Sequence, residues 1–356
     1  MVVRLRRVSC SGPGLRRVFS DEGSSYVDAA GRPVRDAAVL QRIHALVIPP
    51  AWQEVWICSV ANGHIQATGV DAKGRRQYRY YDAWRVQRDL AKHDRVLDFG
   101  ARLPVARERV RADLTLVGLP RERVLACAVR LLDLGFFRIG GEQYANANKS
   151  YGLATLRKEH VTVTTSTTGD PTIVFDYLGK SAKLWHKSLV EPEVVSVVRH
   201  LKQRRGGGAE LLAYRSGPSR GAAWVDVKSA DINDYLRAAT GGDDTAKDFR
   251  TWSATVMAAV GLAVSTHAVS AAARKRAVNR VVHEVAGQLG NTPAVCRASY
   301  IDPRIIDLYV DGVTIAPDLK DLGEDASYGS PAFQGAIESA VLTLLRQPGE
   351  ADRLAG

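Results

Sequence analysis

The 356-residue chain is poor in the residues that hold metals, with only four cysteines and eight histidines. Cys10, Cys58, Cys127 and Cys296 lie far apart, and no two stand in C-x-x-C spacing. That excludes the sequence patterns of a zinc site and of a disulfide framework and leaves buried or idle thiols. His283-Glu284 opens like a zinc-protease helix, but Gly287 stands where the second histidine belongs. No acidic cluster suggests a two-metal nuclease, so neither a metal nor any other cofactor is expected. Gly179-Lys180-Ser181 looks like the end of a phosphate-binding loop. That motif needs a glycine where Val174 stands, and a helix where a strand is expected here. No apolar run approaches the roughly 20 residues that cross a bilayer. The opening Met-Val-Val-Arg-Leu-Arg-Arg lacks the apolar stretch of a secretory signal. The expectation is a cytoplasmic protein with no membrane partner.

Negative charge is also in short supply. Lys and Arg number 49 against 38 Asp and Glu, a net charge of +11. Such an excess points to a polyanionic partner, of which nucleic acid is the commonest. A basic surface kept for solubility is the plainer alternative. With 46% hydrophobic residues the chain can still build a real core, and its length suggests two domains.

Residues 1–90 read as a small β-rich domain. Val55–Val60 is strand-like, Asn62-Gly63 turns the chain, and His64–Val70 returns as the second arm of a hairpin. The stretch that follows, Asp71–Tyr81, interleaves Lys73, Arg75, Arg76 and Arg79 with Tyr78, Tyr80 and Tyr81. Cations suit phosphates and flat rings suit sugars and bases, so this stretch fits a nucleic-acid face. It also fits an edge strand guarded by charge.

Residues 91–346 read as mainly helical, and 347–356 as a disordered tail. Apolar spacing and end signals predict helices over 120–134, 192–205, 229–240, 250–262 and 269–289. Ser229 is the expected cap of the third, and Gly135 is expected to lie just past the first. A β island interrupts them, with strands at 160–164, 172–177 and near 183–188. The fold class expected is therefore α+β: a small β-rich N-terminal domain and a larger helical domain carrying a three-stranded β element.

Several segments, weak alone, form an ordered set. They are Phe136-Phe137-Arg138-Ile139-Gly140-Gly141-Glu142-Gln143-Tyr144, Asn148–Leu156, Leu178-Gly179-Lys180, Lys247-Asp248-Phe249-Arg250-Thr251-Trp252, Leu289-Gly290-Asn291-Thr292-Pro293 and Ser299-Tyr300. Their order resembles the type IB DNA topoisomerases, in particular the small poxvirus and bacterial branch. The resemblance runs from about residue 25 to about residue 310. It implies a C-shaped clamp of two domains on duplex DNA, working as a monomer without ATP or metal. By position it implies Tyr300 as nucleophile, Arg138 and Arg250 on the scissile phosphate, Lys180 as general acid, and Lys247 as a second basic residue near the leaving group. Asn291 stands where many members carry a histidine, so that donor can never be charged. The same resemblance makes Lys73, Arg75, Arg76, Gln77, Tyr78, Arg79 and Tyr80, with Lys149 and Tyr151, the candidate DNA contacts.

The residue types make chemical sense by themselves. A phosphodiester attacked by an oxygen gains negative charge on its non-bridging oxygens. Planar, permanently charged guanidiniums match those oxygens better than ammonium groups do. A poor alkoxide leaving group needs a proton, which a lysine among other cations gives up readily. A phosphotyrosine ester keeps the energy of the bond broken, so the free hydroxyl can attack it and restore the strand. A water nucleophile would leave a permanent break.

Two other functions share part of the pattern. A tyrosine recombinase uses the same Arg, Lys, Arg and Tyr logic, but usually has a histidine where Lys247 stands. A non-catalytic DNA-binding protein explains the charge but not Lys180 or Tyr300. One geometric tension is also visible. On a single straight helix Asn291 and Tyr300 would lie about 13 Å apart, too far to share one phosphate. A break in that helix, or a movement of Tyr300 when DNA binds, is expected.

Overall fold

The computed structural model describes residues 4–20, 23–166, 169–217, 221–265, 270–319 and 334–346. The tail expected at 347–356 lies outside the described residues. The chain divides into two compact units, Met1–His93 and Asp94–Gly356.

The first unit carries strands β1 (Leu15–Ser20) and β2 (Gly23–Val27), helix α1 (Ala37–Ala45), and strands β3 (Gln53–Ile57), β4 (Ile65–Val70) and β5 (Arg76–Tyr80). They form one antiparallel sheet of order β2-β1-β3-β4-β5. The expected hairpin is β3–β4, and the basic-aromatic stretch becomes β5 on the sheet's edge. Asp36 starts α1, its carboxylate accepting from the amides of Ala38 and Val39 at 2.8 and 3.2 Å. A small core of Leu15, Ile43, Trp52, Val55, Ile57 and Ala67 joins helix and sheet.

Helix α2 (Asp82–Leu114) follows, and the division between the units falls within it. The second unit continues with α3 (Arg121–Gly135), α4 (Glu142–Asn148), β6 (Val161–Thr165), β7 (Pro171–Leu178), β8 (Leu184–Leu189) and α5 (Pro192–Gln203). Then come β9 (Ala213–Arg215), β10 (Trp224–Asp226), α6 (Ser229–Thr240), α7 (Ala246–Ala263), α8 (Ala271–Leu289), α9 (Pro293–Ser299), α10 (Pro303–Val310) and α11 (Ala336–Arg346). The fold is thus mixed, a small β-rich unit and a larger helical one with the three-stranded antiparallel sheet β6-β7-β8.

Two helices are apolar on nearly every face and form the middle of the second unit. Residues Val124 to Gly135 of α3 are all buried, as is almost all of α7. A helix without a polar face has nowhere to go but the core. Each buried charge on α3 is matched. The Asp133 carboxylate accepts from Arg107 at 2.8 and 2.9 Å and from Arg130 at 2.8 Å. The Glu338 carboxylate of α11 takes Arg107 and the Trp252 indole N–H, the latter at 2.8 Å.

Local differences from the expected elements have local causes. Helix α6 is capped by Lys228, not Ser229, because the Asp231 carboxylate accepts from the Lys228 amide at 2.9 Å. Helix α7 starts four residues earlier than the apolar pattern suggested, at Ala246. The Thr245 amide and hydroxyl both donate to Asp248, each at 2.8 Å, and Asp248 thereby extends the helix across a polar turn. Helix α8 begins at Ala271 with Ser270 as cap; residue 269 lies outside the described residues. Helix α3 takes in Gly135 and ends at Phe136, which is left-handed at φ 56°. A Cβ on Gly135 would lie 2.1 Å from the Phe137 ring, so that glycine permits a close approach and does not cap the helix.

Candidate active site

The site is built on the C-terminal end of α8. The last carbonyls of a helix have no partners within it, and the helix dipole makes that end negative. Two guanidiniums fill the vacancy. Arg250 Nη2 donates to the Leu289 carbonyl at 2.7 Å, and Arg138 Nη2 donates to the Gly290 carbonyl at 2.9 Å. Gly290 closes the helix in the left-handed conformation, φ 61°, with its amide on Gly287 at 3.1 Å. A Cβ there would stand 2.4 Å from the Trp185 ring, so the glycine also lets β8 pack against this end.

Arg250 sits in the first turns of α7 and is 3% exposed. Its Nη1 donates to the Phe136 carbonyl. Burial pushes its pKa down to about 10, Arg138 pushes the same way, and Tyr300 opposes both. The group stays cationic at neutral pH. Its Nε is buried and has no partner among the described residues.

Arg138 lies in the loop after α3. That loop is held by two hydrogen bonds, Leu153 N–H to the Arg138 carbonyl at 2.8 Å and Ala154 N–H to the Ile139 carbonyl at 2.7 Å. Gly140 and Gly152 make this possible. A Cβ on Gly152 would lie 2.5 Å from the Gly140 backbone, and one on Gly140 would lie 2.8 Å from the Gly152 backbone. The Arg-Ile-Gly and Tyr-Gly-Leu segments of the motif are therefore two strips of one close backbone contact.

Asn291 follows directly. Its amide N–H donates to the Ala286 carbonyl at 2.9 Å, and its side-chain Oδ1 accepts from Arg138 Nη2 at 2.6 Å. The latter bond orients the amide and leaves Nδ2 buried and without a partner among the described residues. A buried donor beside a guanidinium is chemically suited to an anionic oxygen.

Thr292 caps α9, accepting from Val295 at 3.4 Å, with Pro293 in the first turn. The helix is short and ends at Ser299. Tyr300 leaves it with φ −126° and ψ −40°, so the two residues in tension flank the helix from outside it. The Tyr300 ring packs against Arg250, 5.3 Å from the guanidinium carbon to the ring centroid. Its carbonyl accepts from the buried Thr255 hydroxyl at 3.4 Å. Arg250 thus touches the tyrosine on one side and the carbonyls of Phe136 and Leu289 on the other.

Lys180 opens the short 3-10 turn Lys180–Ala182 between β7 and β8. Gly179 N–H to the Lys183 carbonyl closes this turn at 2.8 Å, and Tyr151 N–H to the Leu178 carbonyl ties it to the Arg138 loop at 2.8 Å. Lys180 is exposed. It shares with Arg138 and Gly290 a cavity of about 230 Å³. The structure therefore pairs Arg138 with Asn291 and Arg250 with Tyr300 by direct contacts, links the pairs through the adjacent carbonyls of Leu289 and Gly290, and adds Lys180 through a cavity it shares with Arg138. Lys247 stands apart. It is exposed on α7, one turn before Arg250, and no contact of its ammonium joins it to the others among the described residues.

Tyr177 is a second tyrosine beside the arginines. Burial drives its hydroxyl well above the ordinary tyrosine range, against the pull of Arg138 and Arg250. It remains a neutral phenol and a poor nucleophile.

The N-terminal candidates divide by strand face. Arg76, Tyr78 and Tyr80 alternate along β5, and the two rings stack at 5.9 Å. Gln77 and Arg79 point the other way. Gln77 donates to Asp71 at 2.8 Å and Arg79 to the Val47 carbonyl at 3.0 Å. Arg75 is paired with Asp71, and Lys73 lies in the turn that Asp71 organises. Lys149 is the exposed left-handed cap of α4, φ 50°. Tyr151 packs its ring on His160 at 4.3 Å beneath the Arg157 guanidinium.

Sequence reasoning missed three contributors. Phe136 acts through its carbonyl and its ring, which a residue letter does not reveal. Thr255 acts on the backbone of Tyr300. Lys187 lines the Lys180 cavity, and its step of two from Trp185 along β8 is a signal that could have found it.

Comparisons with known proteins point to one family. Residues 81–307 match the family described as eukaryotic DNA topoisomerase I, catalytic core. Residues 23–71 match the bacterial DNA topoisomerase IB N-terminal domain. DNA topoisomerase 1B of Acanthamoeba polyphaga mimivirus is 30% identical over 274 residues, which is 76% of this chain and 80% of that protein. DNA topoisomerase 1B of vaccinia virus (strain Copenhagen) is 22% identical over 314 residues, 83% of this chain and 91% of that protein. DNA topoisomerase 1 of Schizosaccharomyces pombe is 28% identical over 169 residues, 47% of this chain and 19% of that protein.

Proposed function

Because the chain belongs to the type IB DNA topoisomerase family, we propose that it relaxes supercoiled duplex DNA through a transient bond between Tyr300 and a 3′ phosphate. The observation that carries this reading is the convergence of Arg138, Arg250, the free Asn291 amide and Tyr300 at one helix end.

The scissile phosphate is held by Arg138 and Arg250 with Asn291 Nδ2 as a third donor. Tyr300 Oη gives its proton to water and attacks phosphorus. The bond from phosphorus to the 5′ oxygen breaks, and Lys180 protonates that oxygen as it leaves. The departing strand turns about the intact one, driven by superhelical strain. Its 5′-hydroxyl then attacks the phosphotyrosine, Lys180 takes the proton back, and the strand is whole. Charge, not a Lewis acid, stabilises the five-coordinate state, and each fixed donor is worth roughly 10²–10³ in rate. No step consumes ATP or needs a metal. The donors for one phosphate all lie in one unit, so a monomer suffices, working in the cytoplasm where the chromosome lies. Lys247, exposed on α7 one turn before Arg250, adds a second basic residue near the leaving oxygen. Arg76 and Tyr78, with the partly buried Tyr80, form the face of β5 that suits a sugar-phosphate backbone.

The test is supercoiled plasmid in EDTA without nucleotide. Relaxation is expected from the wild type, and none from Tyr300→Phe, whose DNA binding survives. Relaxation by Tyr300→Phe contradicts the assignment.

A further inference from the structure

The wall of the Lys180 cavity holds a cation that the steps above leave unused. Lys187 lies on β8, on the same face as Trp185, and Lys183 stands just before the strand. Its ammonium stands over the Phe136 ring, 4.7 Å from the centroid. Burial lowers its pKa. Arg138, Lys180, Lys183 and Lys187 all line the cavity, and no carboxylate does so among the described residues. The Phe136 ring is the one partner that Lys187 has among them.

A half-buried ammonium with cations for neighbours is costly unless an anion enters. The scissile phosphate already has Arg138, Arg250 and Asn291. Lys180, in the same cavity, serves the oxygen that departs. The cavity therefore faces the departing strand, whose next anion is one nucleotide further on. We propose that Lys187 binds the first internucleotide phosphate of the departing strand and holds that strand for resealing. This rests on the reading that Tyr300 cleaves DNA with Lys180 as the acid. The plainer alternative, a solvated surface lysine, does not explain why the ammonium lies folded over a buried ring.

The experiment begins with the covalent adduct on a duplex whose short departing strand dissociates. Acceptor strands bearing a 5′-hydroxyl are then added over a range of concentrations. Lys187→Gln is expected to raise the half-saturating concentration about tenfold, the loss of one hydrogen bond to a charged group. The resealing rate at saturation should stay within about twofold of wild type, since the chemical step keeps its own donors. Lys187→Arg should restore most of the affinity. An acceptor with a neutral methylphosphonate at its first linkage should cost the wild type a similar factor and Lys187→Gln nothing more. Equal half-saturation of the wild type by both acceptors overturns the inference without recourse to any variant. So does a Lys187→Gln effect confined to the saturated rate, which would place the group in the chemical step. A wild type that forms no adduct overturns the parent reading and this inference with it. A normal adduct with unchanged Lys187→Gln kinetics overturns this inference alone.

Discussion

The carbonyl oxygen of Phe136 accepts a hydrogen bond from the guanidinium of Arg250. Phe136 lies just past the end of α3 and Arg250 near the start of α7, so the bond joins the two buried helices of the catalytic unit at the point where the chemistry is placed. Phe136 reaches this position only in the left-handed conformation, which costs a non-glycine residue of order 1–3 kcal/mol. Its ring meanwhile carries Lys187. One strained residue thus sets two cations.

Arg250→Lys should lose this arrangement while keeping the charge. An ammonium on a flexible stem cannot hold the carbonyls of Phe136 and Leu289 together and still lie on the Tyr300 ring. Single-turnover cleavage of a suicide duplex should slow roughly 10²–10³-fold. A variant within a few-fold of wild type would show that the forked geometry is idle.

Asn291→His should introduce a pH dependence that the wild-type residue lacks. An amide has no proton to lose near neutrality, whereas an imidazole titrates near pH 6.5. Its charged form is the better donor to a phosphate oxygen, so the variant should be faster below that pH and slower above it, relative to wild type at each pH. A pH–rate profile measured at saturating enzyme reads this ratio. A constant ratio between pH 5.5 and 8.5 would mean that residue 291 does not meet the phosphate.

Gly152→Ala should damage both stability and activity. The new Cβ meets the backbone of Gly140 at 2.5 Å, and backbone cannot swing aside. Strain of this kind typically costs about 1–3 kcal/mol, readable as a drop in the thermal midpoint. Arg138 lies at the other end of the same contact, so cleavage should fall further than stability alone explains. Gly141→Ala, where nothing stands within 4 Å, is the control that should change neither.

Acid should unfold the catalytic unit through Asp133. Burial by itself would raise this carboxyl, but the Arg107 and Arg130 guanidiniums outweigh it and hold the pKa below the ordinary range. A depressed folded-state pKa contributes stability above the unfolded value, near 3.9, and loses it as pH falls further. Urea midpoints should therefore drop steeply below about pH 4. Asp133→Ala should weaken that dependence and cost about 1–3 kcal/mol near pH 7, because it removes the carboxylate two buried guanidiniums share and leaves Arg107 on Glu338 and Arg130 on Glu191.

Much of this was legible in the residues, for reasons that differ by element. Strands β6, β7 and β8 alternate and are bounded by turn residues, and their register follows from that. Helices α3 and α7 stand out as largely apolar runs with few charges. The order of Arg138, Lys180, Arg250, Asn291 and Tyr300 carried the family resemblance. Helix α2 was not read, since its 33 residues are polar on most turns and Pro104 interrupts it. The early start of α7 hid behind Thr245 and Asp248, whose caps extend a helix past its apolar stripe. The Phe136–Arg250 bond had no signature at all, because it uses a main-chain oxygen and a backbone angle. Lys187 did have one, a lysine in step with Trp185, and it went unread because an alternating strand shows which face a residue shares but not what that face lines.

The most direct measurement is to isolate the covalent protein–DNA adduct from a denaturing gel, digest it with protease and locate the nucleotide-bearing residue by mass spectrometry. The account predicts a 3′-phosphate esterified to Tyr300, formed in EDTA and absent from Tyr300→Phe. An adduct on any other residue, Tyr177 included, or one joined through a 5′ phosphate, would contradict it.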